Sequence, residues 1–258
     1  MFDLFSHITG QVRKTLQDYN MIRPGDKLVV GLSGGKDSLT LLTVLAELRS
    51  YYPIPYKLAA VTVDLGFDSA VRVGDVSSDS GSGDCSSGDS VFAALTEYCV
   101  KLGVDHTIIK TNIGKVVFDY KTGENPCSIC ANMRRGALNN AAVSLGGNKV
   151  VLAHNRDDLV ETMLLSLFYE GRISSFTPMT YLGRKQLYVL RPLILTEEKD
   201  IISYTHSAGL PIVENPCPAN GDTKRQFIKV LLNDLSKENK HIKSNIFGAI
   251  KRGIFRPD

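Results

Sequence analysis

The sequence predicts an α/β protein, a parallel β-sheet with helices on both faces. Apolar runs of five to nine residues recur along the chain, and each is followed by a stretch with helical spacing. The runs read as strands buried on both faces, as parallel strands are. A glycine-rich turn also falls directly after the first run, and open sheets of this kind bind ligands just beyond the carboxyl ends of their strands.

The elements follow in order. Residues 1–23 read as an amphipathic helix, with Phe2, Phe5, Ile8, Val12 and Leu16 at roughly helical spacing. KLVVGL (27–32) precedes helical SLTLLTVLAEL (38–48). KLAAVTVDL (57–65) precedes, after an interruption, VFAALTEYCVKLG (91–103). DHTIIK (105–110) leads through a loop to ICANMRRGALNNAAVSLG (129–146). KVVLAH (149–154) precedes DLVETMLLSLFYE (158–170), and LYVLRPL (187–193) precedes TEEKDIISYTHSAG (196–209). Residues 223–252 read as two further helices. The expected organisation is a helix over 1–23, a nucleotide-type domain over 24–222 and a basic helical extension over 223–258.

The interruption, DSAVRVGDVSSDSGSGDCSSGDS (68–90), is rich in Ser, Gly and Asp. It holds too little apolar surface to offset its ordering entropy, so it reads as a flexible loop. Cys85 lies within it and is not expected to be a ligand.

The 258 residues, 43% of them hydrophobic, suffice for a sizeable core. The first residues lack a secretory cleavage pattern, and no apolar run approaches the ~20 residues that span a bilayer. The expectation is a cytoplasmic protein without membrane attachment, whose cysteines stay reduced and serve metal binding or chemistry rather than disulfides. The net charge of +3 includes −4 from residues 68–90, which leaves +7 on the remainder, with many of the basic residues near the C-terminus. Such a surface attracts a polyanion, although an ordinary solvated Lys-rich face reads the same way.

In VVGLSGGKDSLTLL a strand runs into Ser33, Gly34, Gly35, Lys36, Asp37 and Ser38, and a helix follows. Two consecutive glycines let backbone N–H groups turn towards an anion, and the helix N-terminus adds its positive end. Ser33 and Ser38 offer hydroxyls, Lys36 a charge and Asp37 a magnesium-side carboxylate. The spacing is neither Walker A nor Gly-x-Gly-x-x-Gly. SGGKDS in this setting resembles the PP-loop of the ATP pyrophosphatases. Those enzymes cleave ATP between the α and β phosphates and adenylate a carbonyl oxygen. The resemblance implies their adenine-nucleotide α-hydrolase-like sheet, with ATP as co-substrate and Mg2+.

Three of the five cysteines sit in two matching stretches, ENPCSIC (124–130) and ENPCPANG (214–221). Cys99, inside a helical pattern, reads as packing. A Cys127–Cys130 disulfide leaves Cys217 unexplained, and a structural zinc needs a fourth ligand. Three thiolates suit an iron–sulfur cluster with one open iron. Spacing alone leaves cluster, zinc, catalytic thiols and disulfide all standing.

DYNMIRPGDKLVVGLSGGKDSLTLL, PCSICANMRRGAL, AHNRDDLVETMLLSLFYEGRISSFTP, LRPLILTEEKDI and NPCPANGDTKRQ occur in that order. Together they resemble the tRNA 2-thiocytidine biosynthesis proteins, from about Val12 to the region of Phe247. That resemblance implies a tRNA sulfurtransferase with a 4Fe-4S cluster on Cys127, Cys130 and Cys217, the open iron carrying the sulfur. It implies tRNA as partner, a sulfur donor such as a cysteine desulfurase, and commonly a homodimer. Two features depart from the family pattern. The Ser-rich insertion is foreign to it, and Ala153 stands where a Gly is usual. The related 2-thiouridine synthetases share the cluster but carry Cys-rich zinc fingers for which this chain has too few cysteines. A cluster-free, persulfide-using thiolase, an ATP-dependent amidating or lysidine-forming enzyme, and a non-catalytic nucleotide- and cluster-binding redox sensor are the other readings.

The remaining candidates lie around that chemistry. Arg134 is four residues from Cys130 and shares its helix face, while Arg135 points about 100° away. Both are candidates to neutralise pyrophosphate, Arg134 as a catalytic residue and Arg135 in ATP binding. His154 is a candidate ATP contact. Asp158, beside Asp157 and with Glu161 nearby, is a candidate for assisting the activated base or holding magnesium, although acids at a helix start also serve as caps. Lys36 and Asp37 complete the catalytic set. Lys224 and Arg225 are the candidate tRNA contacts.

Overall fold

Successive side chains of the first strand set the layers. Along β1 (Lys27–Gly31), Leu28 and Val30 enter one apolar cluster and Val29 the opposite one, as the two-residue period of a strand requires. β2 (Lys57–Asp64) does the same with Leu58 and Ala60 against Val61. A strand apolar on both sides needs cover on both faces, which here is helical. The computed structural model describes residues 4–67, 71–74, 85–86, 88–119, 126–213 and 224–255.

The main sheet has six strands in the order β5-β2-β1-β6-β8-β7. β5 (Asp105–Lys110), β2, β1, β6 (Lys149–Val151) and β8 (Leu187–Leu190) are parallel neighbours, and β7 (Met179–Leu182) closes the edge antiparallel to β8. The predicted parallel sheet is present, with an antiparallel edge strand that the sequence reading did not include. Two predicted strands are shorter than expected. β6 stops at Val151, and β8 stops at Leu190 because Pro192 opens a 3-10 turn over Pro192–Leu195. A second 3-10 turn, Gly183–Lys185, joins β7 to β8.

One face is covered by α1 (Leu4–Asp18), α2 (Lys36–Leu48), α3 (Gly88–Lys101) and α7 (Glu198–Ala208), whose apolar residues enter the cluster of Leu28 and Val30. Ile8, Val12 and Leu16 of α1 are fully buried, as their spacing predicts, and Phe5 stacks on Tyr204 at 5.2 Å. Each such side chain contributes about 1.5–3 kcal/mol of transfer free energy. The expected Phe2 contact lies outside the described residues. α5 (Pro126–Ser144) covers the other face through Leu138, Ala141 and Ala142, and a short α4 (Ile113–Asp119) packs beside it.

α6 (Arg156–Glu170), α8 (Lys224–Glu238) and α9 (Ile242–Gly253) gather a third cluster around Leu159, Val160, Ile228, Leu232 and Ile250. The two C-terminal helices read from the sequence thus pack on α6, the helix that follows the central strand β6. At the amino ends of β1 and β6, Lys149 Nζ reaches Asp26 at 3.0 Å and the Met21 carbonyl at 2.6 Å, both side chains being almost wholly buried. This pair fixes the sheet at the end away from the phosphate loop.

Composition predicted a strandless loop over 68–90. Two short strands fall within it. β3 (Val71–Gly74) pairs antiparallel with β4 (Cys85–Ser86) and with β9 (Ile212–Val213). Most of the rest of the segment, and Cys217 with its neighbours, lie outside the described residues.

Candidate active site

The turn between β1 and α2 carries the residues read from the sequence as a phosphate loop. Gly34 has φ +80°, in the left-handed region, and a Cβ there would lie 2.7 Å from Val213 Cβ. Glycine is therefore required twice over, by backbone conformation and by contact. Val213 N–H donates to the Gly34 carbonyl at 2.9 Å, so β9 braces the loop from the side. Ser38 Oγ accepts from Ser33 N–H at 3.2 Å, lies 3.1 Å from Ser33 Oγ and donates to the Gly35 carbonyl at 2.9 Å. The two hydroxyls thus hold the turn's shape. Gly35 is the extended residue before α2, and its side-chain-free position leaves the helix N-terminus open to an anion.

Asp37, in the first turn of α2, is held at both oxygens. Asn155 Nδ2 donates to Oδ1 at 2.9 Å and Lys36 Nζ donates to Oδ2 at 2.8 Å. Lys36 also reaches Glu198 at 3.1 Å, and Lys229 Nζ contacts the same carboxylate at 2.8 Å. Burial opposes the Lys36 charge, but Asp37 and Glu198 outweigh it and raise its pKa. Glu198 experiences the converse, since burial opposes its charge while Lys229 and Lys36 outweigh that and lower its pKa. The result is a charged floor of two cations and two carboxylates within hydrogen-bond reach.

Asn155 also caps α6. Its side chain accepts from Asp158 N–H and Asp158 Oδ2 accepts from Asn155 N–H, both at 3.0 Å, a reciprocal capping box. Asp158 therefore does serve as a cap, and its second oxygen meets Arg225 at 3.2 Å. Burial raises the Asp158 pKa against the pull of the Asn155 N–H and Arg225, with Asp37 adding to the rise. Asp157 turns away, accepting from Glu198 N–H at 2.8 Å and pairing with Lys243 at 3.0 Å. Glu161, nearly enclosed, pairs with Arg225 at 3.1 Å and is pushed up to about 6, mainly by burial.

Arg225, read from the sequence as a tRNA contact, is exposed and also ties α8 to the acids of α6. Lys224 keeps a surface position, its Nζ 4.4 Å from the centre of the Tyr169 ring. Arg134 and Arg135 are exposed on α5, where Arg135 bonds Ala131 O and Asn132 Oδ1 of its own helix. His154 follows β6. Its ring lies 4.9 Å from that of Phe176, and its Nδ1 is enclosed without a hydrogen-bond partner. Burial, aided by the charges of Arg191, Arg225, Arg134 and Arg135, pushes its pKa down to about 3, so the ring is neutral.

Cys127 and Cys130 occupy the first turn of α5, which begins at Pro126 rather than at Ile129. Three residues apart, they share a helix face, Cys127 exposed and Cys130 half-buried. Two of the three expected cluster ligands therefore fit such a group, and Cys217 lies outside the described residues. Cys99 is buried in the α2 face of the core, its thiol pushed up to about 11 by burial.

Sequence reasoning missed Asn155, Arg191, Glu198 and Lys229. Only Asn155 carried a local signal, an Asn three residues before an acid at the start of a helical pattern.

A parallel sheet with a serine- and glycine-built anion loop after its first strand defines a nucleotide-binding protein of the PP-loop class. Residues 88–235 match the PP-loop domain family, a stretch that begins after the loop itself. The chain is similar to the tRNA-cytidine(32) 2-sulfurtransferase of Pelobacter propionicus, with 36% identity over 250 residues, 96% of this chain and 86% of that one. It is also similar to that of Vibrio vulnificus, with 37% identity over 234 residues, 89% and 67% of the two chains. The chain belongs to the tRNA-cytidine(32) 2-sulfurtransferase family. A solved U34-tRNA thiolase from Methanococcus maripaludis, described with its [4Fe-4S] cluster, shares the fold with TM-score 0.76 and 22% identity, covering 99% of this chain and 80% of that one.

Proposed function

We propose that the chain is an ATP-dependent tRNA sulfurtransferase that converts a cytidine of tRNA to 2-thiocytidine. The observation that carries this reading is that a member of this family holds the braced 33–38 loop, the Asp37–Asn155–Asp158 chain and two cysteines on one face of α5. The loop N–H groups and Lys36 hold the ATP phosphates. Asp37, anchored on both oxygens, is the carboxylate that holds Mg2+.

Cytidine O2 attacks the α-phosphorus of ATP, forming a C2–O–P bond while the bond to the β-phosphate oxygen breaks and pyrophosphate leaves. Sulfur then adds at C2 and AMP departs with the former O2, so oxygen is exchanged for sulfur without net redox change in the nucleobase. Arg134, on the cysteine face of α5, neutralises departing charge. Asp158 assists the base. A 4Fe-4S cluster held by Cys127, Cys130 and Cys217 would present the sulfur through its open iron. Basic surface residues such as Lys224 hold the RNA backbone, with affinity that falls steeply in salt.

The test is an anaerobic iron and sulfide determination with an absorption spectrum, joined to pyrophosphate release and 2-thiocytidine formation on tRNA. The expected result is a four-iron signature that collapses in Cys217→Ala and persists in Cys99→Ser, with pyrophosphate release dependent on tRNA. Zinc in place of iron, or a cluster indifferent to Cys217, removes the cluster from the proposal. Absence of pyrophosphate release with any tRNA removes the transferase reading.

A further inference from the structure

The cations of the site fall into two groups. Lys36, Lys229, Lys243, Arg156 and Arg225 each pair with a carboxylate. Arg191, just past the end of β8, does not pair with one among the described residues. Its Nη1 donates to Thr177 O at 2.8 Å and Thr180 Oγ1 at 3.1 Å, its guanidinium lies 5.2 Å from the centre of the Phe176 ring, and its Nε is buried without a partner. The same Phe176 ring also meets His154, whose Nδ1 is likewise buried and without a partner. Two enclosed polar nitrogens beside one aromatic ring, at the carboxyl ends of adjacent strands β6 and β8, are therefore both unsatisfied.

A buried guanidinium without a counter-ion is costly, and the cost is removed when an anion arrives. Burial and the charge of Arg135 already push the Arg191 pKa down to about 10, and burial, aided by the charges of Arg191 and Arg135 among others, holds His154 neutral. The local field is thus positive and unbalanced, whereas the neighbouring floor around Asp37 and Glu198 is balanced. Asn155, the residue after His154, bonds Asp37 at the phosphate loop, so this positive pole adjoins the reaction centre.

We propose that Arg191 and His154, set against Phe176, form an oxyanion subsite that receives a phosphate group of a substrate. Arg191 Nε–H donates to one oxygen, and His154, in its neutral Nδ1–H form, donates to another. The assignment rests on the reading of the chain as an ATP-using enzyme that acts on tRNA. Two sources supply such a group, the β,γ-phosphates of ATP that leave as pyrophosphate, and a phosphodiester of the RNA strand beside the target nucleotide.

The test uses the full chain and binding readouts that do not depend on sulfur transfer. Pyrophosphate affinity is measured by calorimetry and tRNA affinity by fluorescence anisotropy over a salt series, for wild type, Arg191→Met and Arg191→Lys. The expected result is a loss of about tenfold or more in Arg191→Met for one of the two ligands, partly recovered in Arg191→Lys. Loss with pyrophosphate assigns the nucleotide source. Loss with tRNA, with a salt slope shallower by about one, assigns the phosphodiester.

Unchanged affinity for both ligands overturns the proposal and leaves Arg191 as a strut to Thr177 and Thr180. If Arg191→Met does not fold, the imidazole resonance of His154 in labelled wild-type protein decides. Movement on adding pyrophosphate or tRNA supports the subsite, and indifference to both sinks it. A chain that binds phosphate through Arg191 yet transfers no sulfur refutes the transferase reading alone.

Discussion

Asn155 Nδ2 donates to Asp37 Oδ1 across 2.9 Å, joining the cap of α6 to the first turn of α2. One side chain thus orients the anchored carboxylate and starts the helix that carries Asp158. Asn155→Ala removes both functions. We expect a loss of about 1–2 kcal/mol in thermal or urea unfolding and a fall in tRNA-dependent pyrophosphate release. Asn155→Asp keeps a capping oxygen but faces Asp37 with a like charge, so it should retain more stability than the Ala variant while still losing activity. Equal activity in all three proteins would dismiss the positioning role.

Gly34 and Gly35 are adjacent but not equivalent. Ala at 34 meets Val213 Cβ at 2.7 Å and a φ of +80°, whereas Ala at 35 has only Ser33 Oγ nearby, at 3.6 Å, with φ −75°. Gly34→Ala should cost about 1–3 kcal/mol and abolish ATP binding. Gly35→Ala should leave the unfolding midpoint near wild type. Similar midpoints for the two variants would contradict the bracing of the loop by β9.

Lys224 and Arg225 should separate in the same way. Lys224→Ala should weaken tRNA binding and make its salt slope shallower by about one, without a change in stability. Arg225→Ala strands Asp158 and Glu161, and because Arg225 is partly exposed the cost is about 1–2 kcal/mol. Unfolding midpoints and anisotropy titrations of the two single variants check this.

Glu161 and His154 give opposite pH slopes. Glu161 is raised from 4.5 to about 6, so the folded state binds its proton more tightly than the unfolded state. Its contribution to stability falls as pH rises from about 4.5 to about 6, by about 2 kcal/mol in all. His154 is lowered from 6.5 to about 3, so the unfolded state binds its proton more tightly. That group costs about 1.4 kcal/mol for each pH unit below about 6.5. Between pH 4.5 and 6 the two slopes oppose each other. Glu161→Gln should therefore steepen the loss of stability on acidification, and His154→Gln should lessen it. Parallel stability–pH curves for wild type and both variants would show the shifts to be absent.

Much of this architecture was legible because it is written in local patterns. The apolar runs of β1 and β2, the spacing of Ile8, Val12 and Leu16, and the SGGKDS turn each state their structure within a few residues. What was not legible depends on distant partners. β7 is a strand because β8 lies beside it, and β9 is two residues held by Gly34 and β3. Arg225 read as an unpaired surface charge because its acids lie far upstream on α6. Arg191 stood inside an apolar motif, and nothing in LRPL reveals a guanidinium without a carboxylate. The acidic Ser-rich segment concealed β3 because its pairing is supplied by β9 rather than by its own composition.

The brace on Gly34 also orders events during synthesis. The phosphate loop is made before its partners, since β6 joins β1 only after Val151 is available, and Val213 comes later still. Contacts of such sequence separation close slowly, because the loop entropy is spent before the bonds form. A nascent chain therefore carries SGGKDS as an unfinished turn until those residues emerge. Competence to grip nucleotide should arrive late and abruptly, with the emergence of β9, so that ribosome-bound chains halted before Ile212 would leave ATP in solution.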